Sequence, residues 1–180
     1  KYGGRWMKNI GKYLGVLAGF MLLILIFLYN NSAIGTYKTN VEKDARVSQR
    51  IPDDWQVAKA ETKRISSMLF YEDSEEKYII SIYVNNQGFS FGYFSRYGAA
   101  GENANDALVL KMKGFDEKIY MSMNKQQIAK IEINTSNGVE IKDIDNSKPF
   151  TIILPANSEI LKMYDINGDI VESKYYTRTA

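Results

Sequence analysis

The sequence predicts an all-β domain, an antiparallel β-sandwich, behind one N-terminal transmembrane helix. An open β-barrel and an α+β arrangement are the alternatives. Three observations carry this prediction. An unbroken apolar run lies near the N-terminus. From Trp55 onward, period-two apolar runs separated by turn residues recur along the chain. The 180 residues include no cysteine, and the 45% apolar content is enough for a core without disulfides.

The apolar run is LGVLAGFMLLILIFL, fifteen residues from Leu14 to Leu28 without a polar side chain. It includes Gly15, Gly19, Phe20, Leu23 and Phe27, with the two glycines in a G-x-x-x-G spacing that lets helices approach. As a helix it rises about 22 Å, short of the ~30 Å hydrocarbon layer. The uncharged stretch is longer, 25 residues from 13 to 37. A span over 13–35 closes the gap, with Lys12 snorkelling outward and Tyr13 and Tyr29 at the interfaces.

Charge orients the span. Lys1, Arg5, Lys8 and Lys12 precede it with no acidic residue among them, so residues 1–12 read as a cytoplasmic tail. Beyond the span, Lys38 and Lys43 are balanced by Glu42 and Asp44. The alternative is a signal peptide cleaved near Gly35, where Ala33, Ile34 and Gly35 resemble a small-residue site and the chain would be secreted. Met7 is a candidate start that would shorten the tail.

Residues 36–52 read as a polar juxtamembrane linker ending at Pro52, and residues 53–177 as the extracytoplasmic domain. Within it, 53–65 fits either a helix or a strand. Strands are predicted over 65–71, 77–85 and 89–96, the last with Phe89, Phe91 and Tyr93 on one core face. Residues 98–106 are rich in Gly, Ala and Asn and read as an exposed loop. Further strands fall at 108–113, 118–123, 131–134 and 139–144, with a tight turn at Asn137-Gly138. A helical turn is expected at Asn124, boxed by Gln127. Strand 150–154 stops at Pro155, and 160–164 pairs with 170–175 around Asn167-Gly168.

Histidine is absent as well, which excludes a Ser-His-Asp triad, cysteine nucleophiles, Fe–S ligation and the usual zinc sites. The tail holds four of the 23 basic residues, so the remainder carries 19 basic against 21 acidic, a net of −2. A domain of that charge lacks the footprint of nucleic-acid binding. Ser122-Met123-Asn124-Lys125 matches S-x-x-K, and Tyr83-Val84-Asn85 matches Y-x-N, but their order is reversed and no K-T-G follows. Asp165, Asn167 and Asp169 alternate as calcium ligands do. The EF-hand pattern would then need Gly and Glu where Ile170 and Tyr176 stand. A hairpin turn accounts for the same residues. Paired carboxylates (Asp53/Asp54, Glu72/Asp73, Glu75/Glu76, Asp116/Glu117) would be needed for acid–base work on a glycan.

The most distinctive segment is FSFGYFSRYG, residues 89–98. Phe94, Arg96 and Tyr97, with Glu102 in the following loop, are the candidate partner-binding rim, because aromatics beside an arginine make contact hot spots. No cofactor is expected. The expected role is a Gram-positive membrane accessory protein that binds a protein partner. A cell-wall polymer binder or a carboxylate-dependent hydrolase is the alternative.

Overall fold

The computed structural model describes residues 3–30, 34–74, 76–85, 91–102, 107–172 and 175–179. The chain is mostly β-strand in antiparallel sheets, preceded by one apolar helix, α1 (Gly3–Asn30). A 3-10 turn at Lys38–Asn40 leads into α2 (Val41–Gln49). The strands follow in order: β1 (Gln56–Glu61), β2 (Ile65–Tyr71), β3 (Lys77–Val84), β4 (Phe94–Glu102), β5 (Ala107–Lys111) and β6 (Lys118–Ser122). Then come β7 (Ile128–Thr135), β8 (Gly138–Asp143), β9 (Phe150–Leu154), β10 (Glu159–Asp165) and β11 (Tyr175–Thr179).

They form three sheets. The first is the antiparallel meander β1-β2-β3-β4. The second has the order β11-β5-β6-β9, antiparallel except for β11, which runs parallel to β5. The third is β10-β7-β8.

Three apolar clusters tie these layers together. Ile65, Leu69, Ile80 and Ile82 of the first sheet share one cluster with Leu110, Ile119 and Met121 of the second. Ser67 and Thr151, both buried, are hydrogen-bonded at 2.7 Å between the same two sheets. The opposite face of the second sheet contributes Val109, Tyr120 and Ile152 to a cluster with Ile128, Ile131 and Met163 of the third. The Tyr120 hydroxyl lies 3.2 Å from Met163 Sδ. The third cluster covers the other face of the first sheet, where Val41 and Ala45 of α2 meet Met68, Phe70 and Tyr83.

This layering explains the sequence of β2. All seven of its residues are buried, because it has core on both sides. A strand buried on both faces reads as a continuous apolar run.

Residues 41–49 correct the expected tether. They fold as α2, and its polar character belongs to its outer face. Val41 and Ala45, one turn apart, are fully buried on the sheet. Arg46 fastens the helix by donating to the carbonyls of Pro52 at 2.9 Å and Trp55 at 3.0 Å. Arg50 ends it at φ 55.

Other expectations shift too. Within 53–65, residues 56–61 form strand β1 and Ile65 opens β2. The helix of the expected 13–35 span ends at Asn30, and Gly35 instead donates its N–H to the Phe91 carbonyl at 2.6 Å. Tyr93 is buried as expected, whereas Phe91 is 60% exposed; Phe89 lies outside the described residues. The expected loop after Gly98 is strand as far as Glu102, because it pairs with β3; residues 103–106 lie outside the described residues. Asn124 and Gln127 take positive φ in a turn rather than starting a helix. Between β7 and β8 the turn residues are Ser136 and Asn137, and Gly138 opens β8 at φ +114. Of the expected pairing between 160–164 and 170–175, the described residues show the Tyr164–Ile170 bridge, and β10 pairs along its length with β7.

The α2 interface has a pH signature. The Tyr83 hydroxyl donates to Asp44 Oδ2 at 2.7 Å. Burial, together with the Asp44 carboxylate that holds the proton, pushes the Tyr83 phenol from 10.0 up to about 12. The neutral phenol is the stabilised form. Its contribution is complete below pH 10.0 and is lost as pH rises through about 12. The stability cost of Tyr83→Phe is therefore expected to shrink across that window. Urea unfolding of both proteins at about pH 9 and about pH 11.5 measures it.

Candidate interaction surface

The candidate rim residues Phe94, Arg96, Tyr97 and Glu102 all lie on β4, an edge strand of the first sheet. The pairing with β3 divides them between faces. Phe94 sits opposite Val84 and Tyr97 opposite Ile82, so both are on the side of the shared core, where Tyr97 packs against it. Ser95 is opposite Tyr83 and Glu102 opposite Lys77, on the α2 side. The register shifts between Ile82 and Tyr83, which leaves Arg96 as the extra residue of a bulge. Arg96 is exposed there. A bulge re-aims one side chain at a sheet edge, and here that residue is the arginine.

Glycines in β4 let neighbours lie across it. A Cβ on Gly101 would strike the Tyr78 ring, and one on Gly98 would come within 3.2 Å of the Gln49 amide. Gln49 donates to Ser81 Oγ at 2.6 Å, closing the end of α2 onto β3. Between that helix end and β4 lies an open groove of about 430 Å³, lined by Ser48, Gln49, Ile79, Ser95, Gly98 and Ala100.

The segment 34–36 lies close against residues 91–93. Thr36 and Tyr93 exchange backbone hydrogen bonds, both at 2.8 Å. A Cβ on Gly35 would lie 2.5 Å from the Tyr93 carbonyl oxygen, and Gly92 takes φ +93. Residues 34–36 are thus paired to the domain. The expected anchor residues Leu14, Gly15, Gly19, Phe20, Leu23, Phe27 and Leu28 all lie on α1. Phe20, Leu23 and Phe27 are each more than 60% exposed, and nothing lies within 4 Å of a Cβ built on Gly15 or Gly19.

The remaining motifs have structural employment. Asp165 Oδ1 accepts the N–H of Asn167 at 2.8 Å and of Asp169 at 2.9 Å, which closes the turn. Local burial opposes ionisation of Asp165, but these N–H groups outweigh it and hold the carboxyl below the usual range. Among the described residues, no three acidic side chains gather as a metal site. Ser122 Oγ accepts the Asn124 N–H at 3.0 Å. Of the acidic pairs, Glu72 accepts the Lys77 N–H, Asp73 accepts Gln56 Nε2, and Glu117 lies 3.9 Å from Arg64. Glu75 lies outside the described residues.

One surface escaped the sequence reading. Every residue of β8 is exposed, including Val139 at 58% and Ile141 at 64%. The alternation Val139-Glu140-Ile141-Lys142 marks it as a strand, but pattern alone does not say that its face stays uncovered. No protein-family model matches the chain, and no curated protein or solved structure matches it either.

Proposed function

We propose that this chain is a single-pass membrane protein of a bacterial cell envelope, with a cytoplasmic tail and an extracytoplasmic domain that binds a protein partner. One observation carries the reading. The stretch Gly11–Leu28 has a mean hydropathy of 2.2 over 18 residues, and none of it is buried against the rest of the chain. An apolar helix surface of that length requires cover, and a bilayer supplies it. The basic tail supports a cytoplasmic N-terminus. The core shared by the first two sheets supports the sandwich reading of the outer domain.

Binding is assigned to the β4 edge. It presents backbone groups at the rim of a sheet, a bulged arginine and an adjoining groove. A photoreactive residue at Arg96, in the full-length protein in its own membranes, is expected to capture one protein. The same probe at exposed Lys113 should capture none. Equal labelling at both positions, or retention of wall polymer in place of a protein, would overturn the assignment.

A further inference from the structure

We propose that β8 is a self-association edge, pairing antiparallel with β8 of a second copy of this chain. The inference does not depend on the membrane reading or on the β4 surface.

β8 ends its sheet, with β7 on one side only. Thr135 and Gly138 are paired across the two turn residues, so this closing pair exchanges both backbone hydrogen bonds. Alternation then directs the backbone groups of Gly138, Glu140 and Lys142 toward β7. The N–H and C=O groups of Val139, Ile141 and Asp143 point to the open edge. The same three residues share the outer face with Lys130, Glu132 and Asn134 of β7.

Charge selects a register. Hydrogen bonding across the edge requires outward-pointing residues to oppose one another. Centring the two-fold axis on Ile141 sets Ile141 against Ile141, and Val139 against Asp143. It also sets Glu140 of each copy against Lys142 of the other. Shifting the centre to residue 140 opposes two glutamates, and shifting it to 142 opposes two lysines. Like charges directly opposite destabilise a sheet, so the Ile141-centred register stands alone among its neighbours. Glu140 Oε1 accepts a 3.3 Å hydrogen bond from Thr135 Oγ1. The paired copies would build a six-stranded sheet from two three-stranded ones, with β-branched Ile141 side chains in contact on the outer face.

The test uses the full chain in detergent, with self-association followed by light scattering. Glu140→Lys alone and Lys142→Glu alone should each weaken association about tenfold, because both symmetric pairs become repulsive. Mixing the two variants should restore it, since each lysine-bearing edge then meets a glutamate-bearing one. An Ile141→Cys variant of this cysteine-free chain should form an interchain disulfide under mild oxidation, and Lys113→Cys should not. A parent chain that stays monomeric would overturn the proposal. So would charge variants that associate like the parent, or a mixture that shows no recovery.

Discussion

Phe70→Ala is expected to cost about 3–5 kcal/mol of stability, the range for removing a large buried aromatic. Phe70 is fully buried on the α2 side of β2. The Arg46 guanidinium lies 4.9 Å above its ring, and that same arginine holds the carbonyls after α2. The substitution therefore removes both the platform under Val41 and Ala45 and the partner of the helix's main fastening. Urea unfolding gives the total loss. Hydrogen exchange should show α2 opening before the second sheet does. Val47→Ala, at a site 72% exposed on the same helix, should stay within about 0.5 kcal/mol of wild type. A Phe70→Ala cost below about 1 kcal/mol would mean that α2 is a tether resting on the domain rather than part of its core.

Asn124→Ala is expected to cost about 2–4 kcal/mol, for two separable reasons. The first is the hydrogen bonding of a buried side chain. Asn124 Oδ1 accepts the Ile128 N–H at 2.8 Å, while Nδ2 donates to the Ile128 and Asp145 carbonyls, both at 3.2 Å. Alanine leaves these backbone groups without their partner. The second is conformation, since Asn124 sits at φ 52, where asparagine is tolerated and alanine is strained. Asn124→Gly removes the side chain but not the conformational ease, so it should recover about 1 kcal/mol relative to alanine. Asn124→Asp keeps the acceptor and loses both donations, facing a carboxylate toward two carbonyls. If glycine proves as stable as asparagine, the hydrogen bonds contribute nothing and the residue is there for its backbone.

The candidate rim shows how far a linear pattern reaches. Phe94, Arg96, Tyr97 and Glu102 were recognisable as an unusual group, and they do share one strand. Their division between two faces was not recognisable, because it depends on a one-residue bulge set by pairing with β3. Phe91 was misread for a related reason. Simple alternation places it with Tyr93, yet the strand begins only at Phe94, and Phe91 pairs instead with Ile34, from the segment between α1 and α2. β8 was legible as a strand and illegible as a surface. Its alternating aliphatics look the same whether a sheet covers them or not.

Local sequence specified the apolar N-terminal helix, the β-rich character of the remainder, and the positions of most turns. Each of these rests on interactions within a few residues: helical rise and apolarity, period-two alternation, and the conformational ease of glycine and asparagine. The folded chain settled matters that involve distant residues. It made residues 41–49 a packed helix, because Met68, Phe70 and Tyr83 offered an apolar face that propensity cannot foresee. It distributed the strands over three sheets, and set β11 parallel to β5 rather than in a terminal hairpin. It also left β4 and β8 at sheet edges. Which neighbour a strand takes is a competition among all the others for the same hydrogen bonds and the same buried face, and no short stretch of sequence records the winner.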